Sequence, residues 1–172
     1  EELIRMKTGK IEIIYGEGSG KTAMALGRGL QALAYHKKVI AIQFLKGSQN
    51  QDKMEIIRRL EPEMNVFRFE KAECNFDELS ELAKQEECAN IRNGVNYARK
   101  VLVTGECDLL ILDEVLGLLD QEIILEQELE QILEGRGGAD VILTGRILPE
   151  NLSAMADRID RITRIASGKE QD

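Results

Sequence analysis

Residues 11–22 read IEIIYGEGSGKT and join a short β-prone run to a glycine-rich turn that ends in Gly20-Lys21-Thr22. A stripe of apolar residues at helical spacing begins directly after them, so the turn lies between a strand and a helix. Glycines let such a turn close tightly and direct backbone N–H groups inward, and the helix adds its positive end. Lys21 is then placed to reach terminal phosphates, and Thr22 to ligate Mg²⁺. We therefore predict a phosphate loop; the alternative is a glycine turn without a ligand, since the usual pattern would place its first glycine at Tyr15.

Further short runs with strand character follow along the chain. Most of them are continuously apolar rather than alternating, which is typical of strands covered on both faces. Besides 11–15, the predicted strands are 39–45, 65–69, 109–112, 140–144 and 161–166.

Helical spacing fills the intervals between these runs. The predicted helices cover 22–34, a long stretch from 76 to 102, 124–133, and a short segment after Pro149. Asn93-Gly94 is a candidate break in the long stretch, and Asp120 is a candidate N-cap for the helix at 124–133. Strands that alternate with helices predict an α/β fold with a mostly parallel sheet and helices on both faces. We expect a single domain over 1–172, with flexible segments at 1–9 and 167–172.

Composition narrows the class of protein. The 172 residues include 31 acidic and 23 basic side chains, for a net charge of −8, which argues against a nucleic-acid partner. A single histidine excludes a multi-histidine metal site, and three cysteines without CxxC spacing are typical of reduced thiols. No apolar run approaches the roughly 20 residues that span a bilayer. We expect a cytoplasmic protein with no membrane partner, whose chemistry relies on carboxylates, Lys, Arg, Thr and backbone groups.

Charged residues follow several of the predicted strands. In an open parallel sheet the carboxyl ends of the strands meet at one crevice, where ligands bind. Asp113-Glu114 after an apolar run is a Walker-B-like pattern, in which a carboxylate holds Mg²⁺. Lys46 and Arg146 would add positive charge around a triphosphate. The alternatives are a solvated turn for the acidic pair and ordinary surface cations for the basic residues.

An ordered series of short motifs extends the phosphate loop across 11–165. The combination resembles the P-loop ATP:corrinoid adenosyltransferases of the cobalamin-synthesis type. The matching pieces are G-x-G-x-G-K-T at 16–22, an Ala-, Gly- and Leu-rich helix at 22–34, Gln-Phe-x-Lys-Gly at 43–47, Leu-Asp-Glu at 112–114, Thr-Gly-Arg at 144–146 and Ala-Asp at 156–157.

The resemblance implies a RecA-like fold and transfer of the 5′-deoxyadenosyl group of ATP to cobalt(I) of a reduced corrinoid, with triphosphate as the leaving group. It implies catalytic roles for Lys21, Glu114 and Arg146, and a cytoplasmic homodimer. Thr22, Asp113 and Glu114 would serve Mg²⁺, with Glu114 as the direct ligand and Asp113 as the partner of Thr22. ATP would lie on the loop in a reversed sense. The implied ATP-binding residues are Gly16, Glu17, Gly18, Ser19, Gly20, Lys21, Thr22, Ala23 and Lys46.

The corrinoid side departs from the family pattern. The chain has no tryptophan, and the family's C-terminal Lys-His segment is absent. Phe69 and Phe76 are the aromatic candidates for a wedge against the corrin ring, and each has the alternative of a core phenylalanine. Two other functions therefore stay open: a small P-loop NTPase or kinase of unknown acceptor, and a nucleotide- or corrinoid-binding relative without turnover.

Overall fold

A computed structural model describes residues 7–46, 55 and 57–166. Its described strands form one six-stranded sheet in the order β3-β2-β4-β5-β1-β6, and every neighbouring pair is parallel. The strands are β1 (Ile11–Tyr15), β2 (Val39–Gln43), β3 (Met64–Phe67), β4 (Leu109–Asp113), β5 (Asp140–Gly145) and β6 (Arg158–Arg161). All carboxyl ends therefore lie at one edge of the sheet.

Helices connect the strands. They are α1 (Lys21–Leu33), α2 (Glu81–Thr104), α3 (Val115–Asp120), α4 (Glu126–Glu134) and α5 (Glu150–Met155). The ends of α2 have local causes: the Ser80 hydroxyl accepts a hydrogen bond from Ala83 N, and Gly105 adopts the left-handed conformation that closes a helix. Among the described residues, no helix is long and apolar enough to cross a membrane.

The core lies on both faces of the sheet. Successive residues of β4 point to opposite faces, so Leu110 and Leu112 join one apolar cluster while Ile111 joins the other. The larger cluster includes apolar residues of α2, α3 and α4, and the smaller one includes Ala25 of α1. This arrangement confirms the predicted parallel α/β fold with helices on both faces.

Several sequence-based boundaries were wrong. The last strand is Arg158–Arg161 rather than 161–166, because pairing with β1 begins at Glu12↔Arg158, directly after α5. Helix α2 continues through Asn93-Gly94, where the glycine lies against Phe44 and Phe69; a Cβ on it would be 3.0 and 3.1 Å from their rings.

Two further boundaries differ. Asp120 ends α3 instead of capping the next helix, whose N-cap is Leu125 without a side-chain hydrogen bond. Strand β2 ends at Gln43 rather than residue 45, because Leu45 has a φ of 54° and cannot continue the strand. Of the predicted flexible segments, 1–6 and 167–172 lie outside the described residues, whereas Gly9 N donates a hydrogen bond of 2.8 Å to Gly137 O.

Candidate active site

The glycine-rich turn follows β1 and leads into α1. Gly16 has a φ of 127°, and a Cβ there would lie 2.2 Å from Ile162 O. Gly20, the N-cap of α1, has a φ of 106°. Gly18 N donates a 3.2 Å hydrogen bond to Ile162 O, so the segment after β6 braces the loop from one side. The conformation and the close backbone approach explain why glycine is needed at residue 16.

Lys21 is folded back over this loop. Its Nζ donates to Gly16 O at 2.7 Å and to Gly18 O at 2.8 Å. Both acceptors are loop carbonyls, so the ammonium lies against the phosphate loop itself. Ala23 follows in the first turn of α1 and is exposed.

Two arginines reach the rim of the loop. Arg146 Nη2 lies 2.9 Å from the Glu17 carboxylate, and both side chains are exposed. Arg164 Nη2 donates a 2.7 Å hydrogen bond to Ser19 Oγ. Arginine forms bidentate contacts with phosphate oxygens, so both guanidinium groups add positive charge where a polyphosphate would lie.

The Asp113 carboxylate is the centre of the site. Its side chain is 1% exposed at the end of β4. Oδ1 accepts hydrogen bonds from the hydroxyls of Thr22, at 3.0 Å, and Thr144, at 2.7 Å. Oδ2 accepts from Gln43 Nε2 at 3.1 Å and lies 3.1 Å from Lys46 Nζ. Each carboxylate oxygen thus has two partners, which fills the roughly four acceptor positions of the group.

Glu114 follows in a left-handed conformation, with a φ of 61°. Its backbone N–H donates a 2.8 Å hydrogen bond to Thr144 Oγ1, which stabilises this turn. Burial raises the pKa of the Glu114 carboxyl, the neighbouring Asp113 charge adds to the rise, and the Lys46 and Lys21 charges oppose it. A cation beside Glu114 would therefore favour its ionised form.

The turn that carries Lys46 has its own support. Glu70 Oε1 accepts a 2.8 Å hydrogen bond from Leu45 N, and Leu45 has a φ of 54°. Burial raises the pKa of Glu70, whereas its backbone hydrogen bond from Leu45 lowers it and the Glu87 charge raises it again. A partly buried carboxylate thus holds the turn in place.

The two candidate wedge phenylalanines have different environments. Phe69 packs against Tyr97, with ring centroids 5.6 Å apart, and against the buried Gly94. Phe76 begins a 3-10 turn at Phe76–Glu78 and lines a small cavity of about 10 Å³ together with Leu45, Glu70 and Cys74. Phe76 therefore lies beside the turn that carries Lys46.

Sequence reasoning assigned no site role to four polar residues that the structure brings to the site: Gln43, Thr144, Arg68 and Arg164. Gln43 and Thr144 are 3% and 0% exposed and bind Asp113 directly. Arg68 Nε donates a 2.9 Å hydrogen bond to Gln43 Oε1 and thereby extends the network to the end of β3. A polar residue near the end of an apolar strand was the available signal, although its partners depend on the order of the strands.

The donor set fits a hard divalent cation. Thr22 and Glu114 would supply the hydroxyl and carboxylate oxygens that Mg²⁺ prefers. Within the described ranges, no group of three or more His, Cys, Asp or Glu side chains forms a metal cage. Mg²⁺ usually binds through one or two protein oxygens, water and substrate phosphates, and this arrangement matches that pattern.

Comparisons with known proteins address the family. The chain aligns over 155 residues with the corrinoid adenosyltransferase of Escherichia coli K12, at 26% identity, covering 90% of this chain and 76% of that protein. The corrinoid adenosyltransferase CobA of Salmonella typhimurium is 24% identical over the same shares of the two chains. The corrinoid adenosyltransferase of Pseudomonas aeruginosa is 24% identical over 168 residues, covering 94% of this chain and 78% of that protein.

The fold has a counterpart among solved structures. A KaiC-like protein from Pyrococcus horikoshii superposes with a TM-score of 0.51 at 17% identity, covering 82% of this chain and 62% of that chain. That likeness concerns the fold alone, and it agrees with the predicted parallel α/β fold. The sequence model of the ATP:corrinoid adenosyltransferase BtuR/CobO/CobP family matches residues 7–171 of this chain. By this match, together with the relatives aligned over most of its length, the chain belongs to that family of transferases.

Proposed function

We propose that this enzyme transfers the 5′-deoxyadenosyl group of ATP to cobalt(I) of a reduced corrinoid and releases triphosphate. The observation that carries the proposal is the cluster of Lys21, Thr22, Lys46, Asp113 and Glu114 at one edge of the sheet, in a chain of the corrinoid adenosyltransferase family. The electron pair of cobalt(I) forms the bond to C5′ of the ribose. The C5′–O bond breaks, and its electron pair leaves with triphosphate.

The protein then has two tasks, since the nucleophile comes with the substrate. It stabilises the negative charge of the leaving triphosphate, and it holds C5′ against the corrinoid. Loop N–H groups, Lys21 and Arg146 support the first task by their position around the loop. Mg²⁺ held by Thr22 and Glu114 would supply further positive charge, with Asp113 orienting Thr22. We propose the reversed orientation of ATP that the family resemblance implies.

For the corrinoid side we propose Phe76 as the apolar wedge, because it lines the cavity beside the Lys46 turn, whereas Phe69 packs against Tyr97. Phe76→Ala should lower turnover with corrinoid and leave ATP affinity unchanged. Phe76→Leu is the matched control, because it keeps apolar bulk. Equal turnover of wild type and Phe76→Ala would shift the assignment to Phe69.

The reaction is tested by its products. The protein is incubated with ATP, Mg²⁺ and a chemically reduced corrinoid, and the expected products are inorganic triphosphate and a light-sensitive adenosylcorrinoid. Release of ADP and phosphate without dependence on corrinoid would identify an NTPase or kinase instead. Saturable ATP binding with no product would identify a binding protein. We also propose a cytoplasmic homodimer, a location that suits reduced thiols. Light scattering of the purified chain tests the dimer.

A further inference from the structure

The Thr22 hydroxyl already has a cation beside it. Its single proton goes to Asp113 Oδ1 at 3.0 Å, and its oxygen accepts a 2.9 Å hydrogen bond from Lys46 Nζ. In phosphate-loop proteins the oxygen at this position binds Mg²⁺ through a lone pair. Lys46 therefore occupies a lone pair of the Thr22 hydroxyl oxygen, the atom through which a metal would bind.

The same ammonium neutralises Asp113. Lys46 Nζ is 3.1 Å from Asp113 Oδ2, and the side chains are 20% and 1% exposed. The other positions on the carboxylate are taken by Thr22, Thr144 and Gln43. A buried carboxylate with this set of donors has no open oxygen lone pair and no net charge left to attract a second cation.

We propose that Lys46 is a built-in cation that occupies the Thr22–Asp113 position in the nucleotide-free protein and excludes a divalent metal from it. An ammonium and a divalent ion bound to the same Thr22 oxygen would repel each other, so the metal binds only when Lys46 moves away. The triphosphate of the nucleotide offers Lys46 another anionic partner. Metal and nucleotide therefore bind together, as a complex, rather than metal first.

The displacement of Lys46 by a metal is tested with Mn²⁺ alone, without nucleotide or corrinoid. Electron paramagnetic resonance measures the concentration of free Mn²⁺. Lys46→Gln keeps a donor for Asp113 but removes the charge, and it should bind Mn²⁺ at least about tenfold more tightly than wild type. Lys37→Gln is the matched control: it removes the same charge from an exposed pair, 3.2 Å from Asp140, and should change affinity less than about twofold. Equal affinities of Lys46→Gln and Lys37→Gln would overturn the proposal.

A measurement on the wild-type protein covers the case in which Lys46→Gln does not fold. With ¹⁵N-labelled lysine side chains, the Lys46 ammonium should give an exchange-protected signal that survives Mg²⁺ alone and shifts when Mg²⁺ and inorganic triphosphate are added together. A signal displaced by Mg²⁺ alone, or unmoved by both together, would contradict the exchange. Neither experiment involves the corrinoid. A negative result in either one would therefore not contradict the proposed transferase reaction.

Discussion

Replacing Thr144 by valine tests the buried network without changing the volume of the side chain. The Thr144 hydroxyl donates to Asp113 Oδ1 at 2.7 Å and accepts from Glu114 N at 2.8 Å, and the residue is fully buried. Valine removes both bonds at once and creates no cavity. Any loss therefore reports the hydrogen bonds rather than packing.

The expected magnitude follows from these two contacts. A hydrogen bond to a charged group contributes about 1.5–3 kcal/mol, and a buried N–H without an acceptor costs about 1–3 kcal/mol. Asp113 keeps its bonds to Thr22, Gln43 and Lys46, so we expect a total loss of about 3–5 kcal/mol in the free energy of unfolding. For a chain of this size that corresponds to a melting temperature lower by on the order of 10 °C.

Urea unfolding followed by circular dichroism measures the difference. Thr144→Ser is the matched control, because it keeps the hydroxyl and loses only a methyl group, at a cost of about 1 kcal/mol. A Thr144→Val variant as stable as Thr144→Ser would refute the view that this hydroxyl supports the Asp113 network.

Three further predictions concern the loop and its surroundings. Lys21→Ala should lower kcat/KM by about 10²–10³-fold, and its melting temperature should also fall, because the change removes two hydrogen bonds to loop carbonyls. The exposed Lys37→Ala should leave the rate as it is, and a Lys21→Ala variant as fast as Lys37→Ala would remove Lys21 from the reaction. Gly16→Ala should lower the free energy of unfolding in urea by about 2–4 kcal/mol, and Gly20→Ala by about 1–2 kcal/mol. Both glycines have a positive φ, but only at residue 16 would a Cβ lie 2.2 Å from a carbonyl oxygen. Burial raises the pKa of Glu70 in the folded protein, so the wild type should lose stability as pH rises from about 4.3, the pKa of an unfolded glutamate, through the folded pKa. Glu70→Gln should therefore gain stability relative to wild type across that pH interval, measured as the free energy of unfolding against pH. Parallel curves of unfolding free energy for the two proteins would contradict this.

The sheet was largely predictable, because a strand covered on both faces must be apolar at nearly every position. Strand β4 has five buried residues in a row and is visible in the sequence alone. Strand β6 is not, because it lies at the edge of the sheet and three of its four residues are charged. Arg158 there pairs with Asp160 at 2.7 Å and lies 3.6 Å from Glu12 across the strand pair. The contact with Glu12 depends on the neighbouring strand β1, which no local pattern specifies.

The site divides in the same way. The phosphate loop is a local motif, so its glycines, Lys21 and Thr22 could be identified directly. The partners of Asp113 come from α1, β2, β5 and the turn after β2, and only the tertiary fold brings them together. The position of Lys46 between Thr22 and Asp113 is likewise a tertiary fact: the sequence shows a lysine after a strand but not which oxygens it contacts.

The brace that Ile162 provides for the phosphate loop has a consequence for synthesis of the chain. Gly16 and Gly18 leave the ribosome early, while the carbonyl that they pack against is made after β5 and β6 are complete. At about 5–20 residues per second the nascent loop waits on the order of 10 s for its partner. The nucleotide site is therefore among the last parts of the molecule to be completed, and ATP cannot serve as a template for the first half of the nascent chain. Tight binding of ATP would instead report that translation has passed β6.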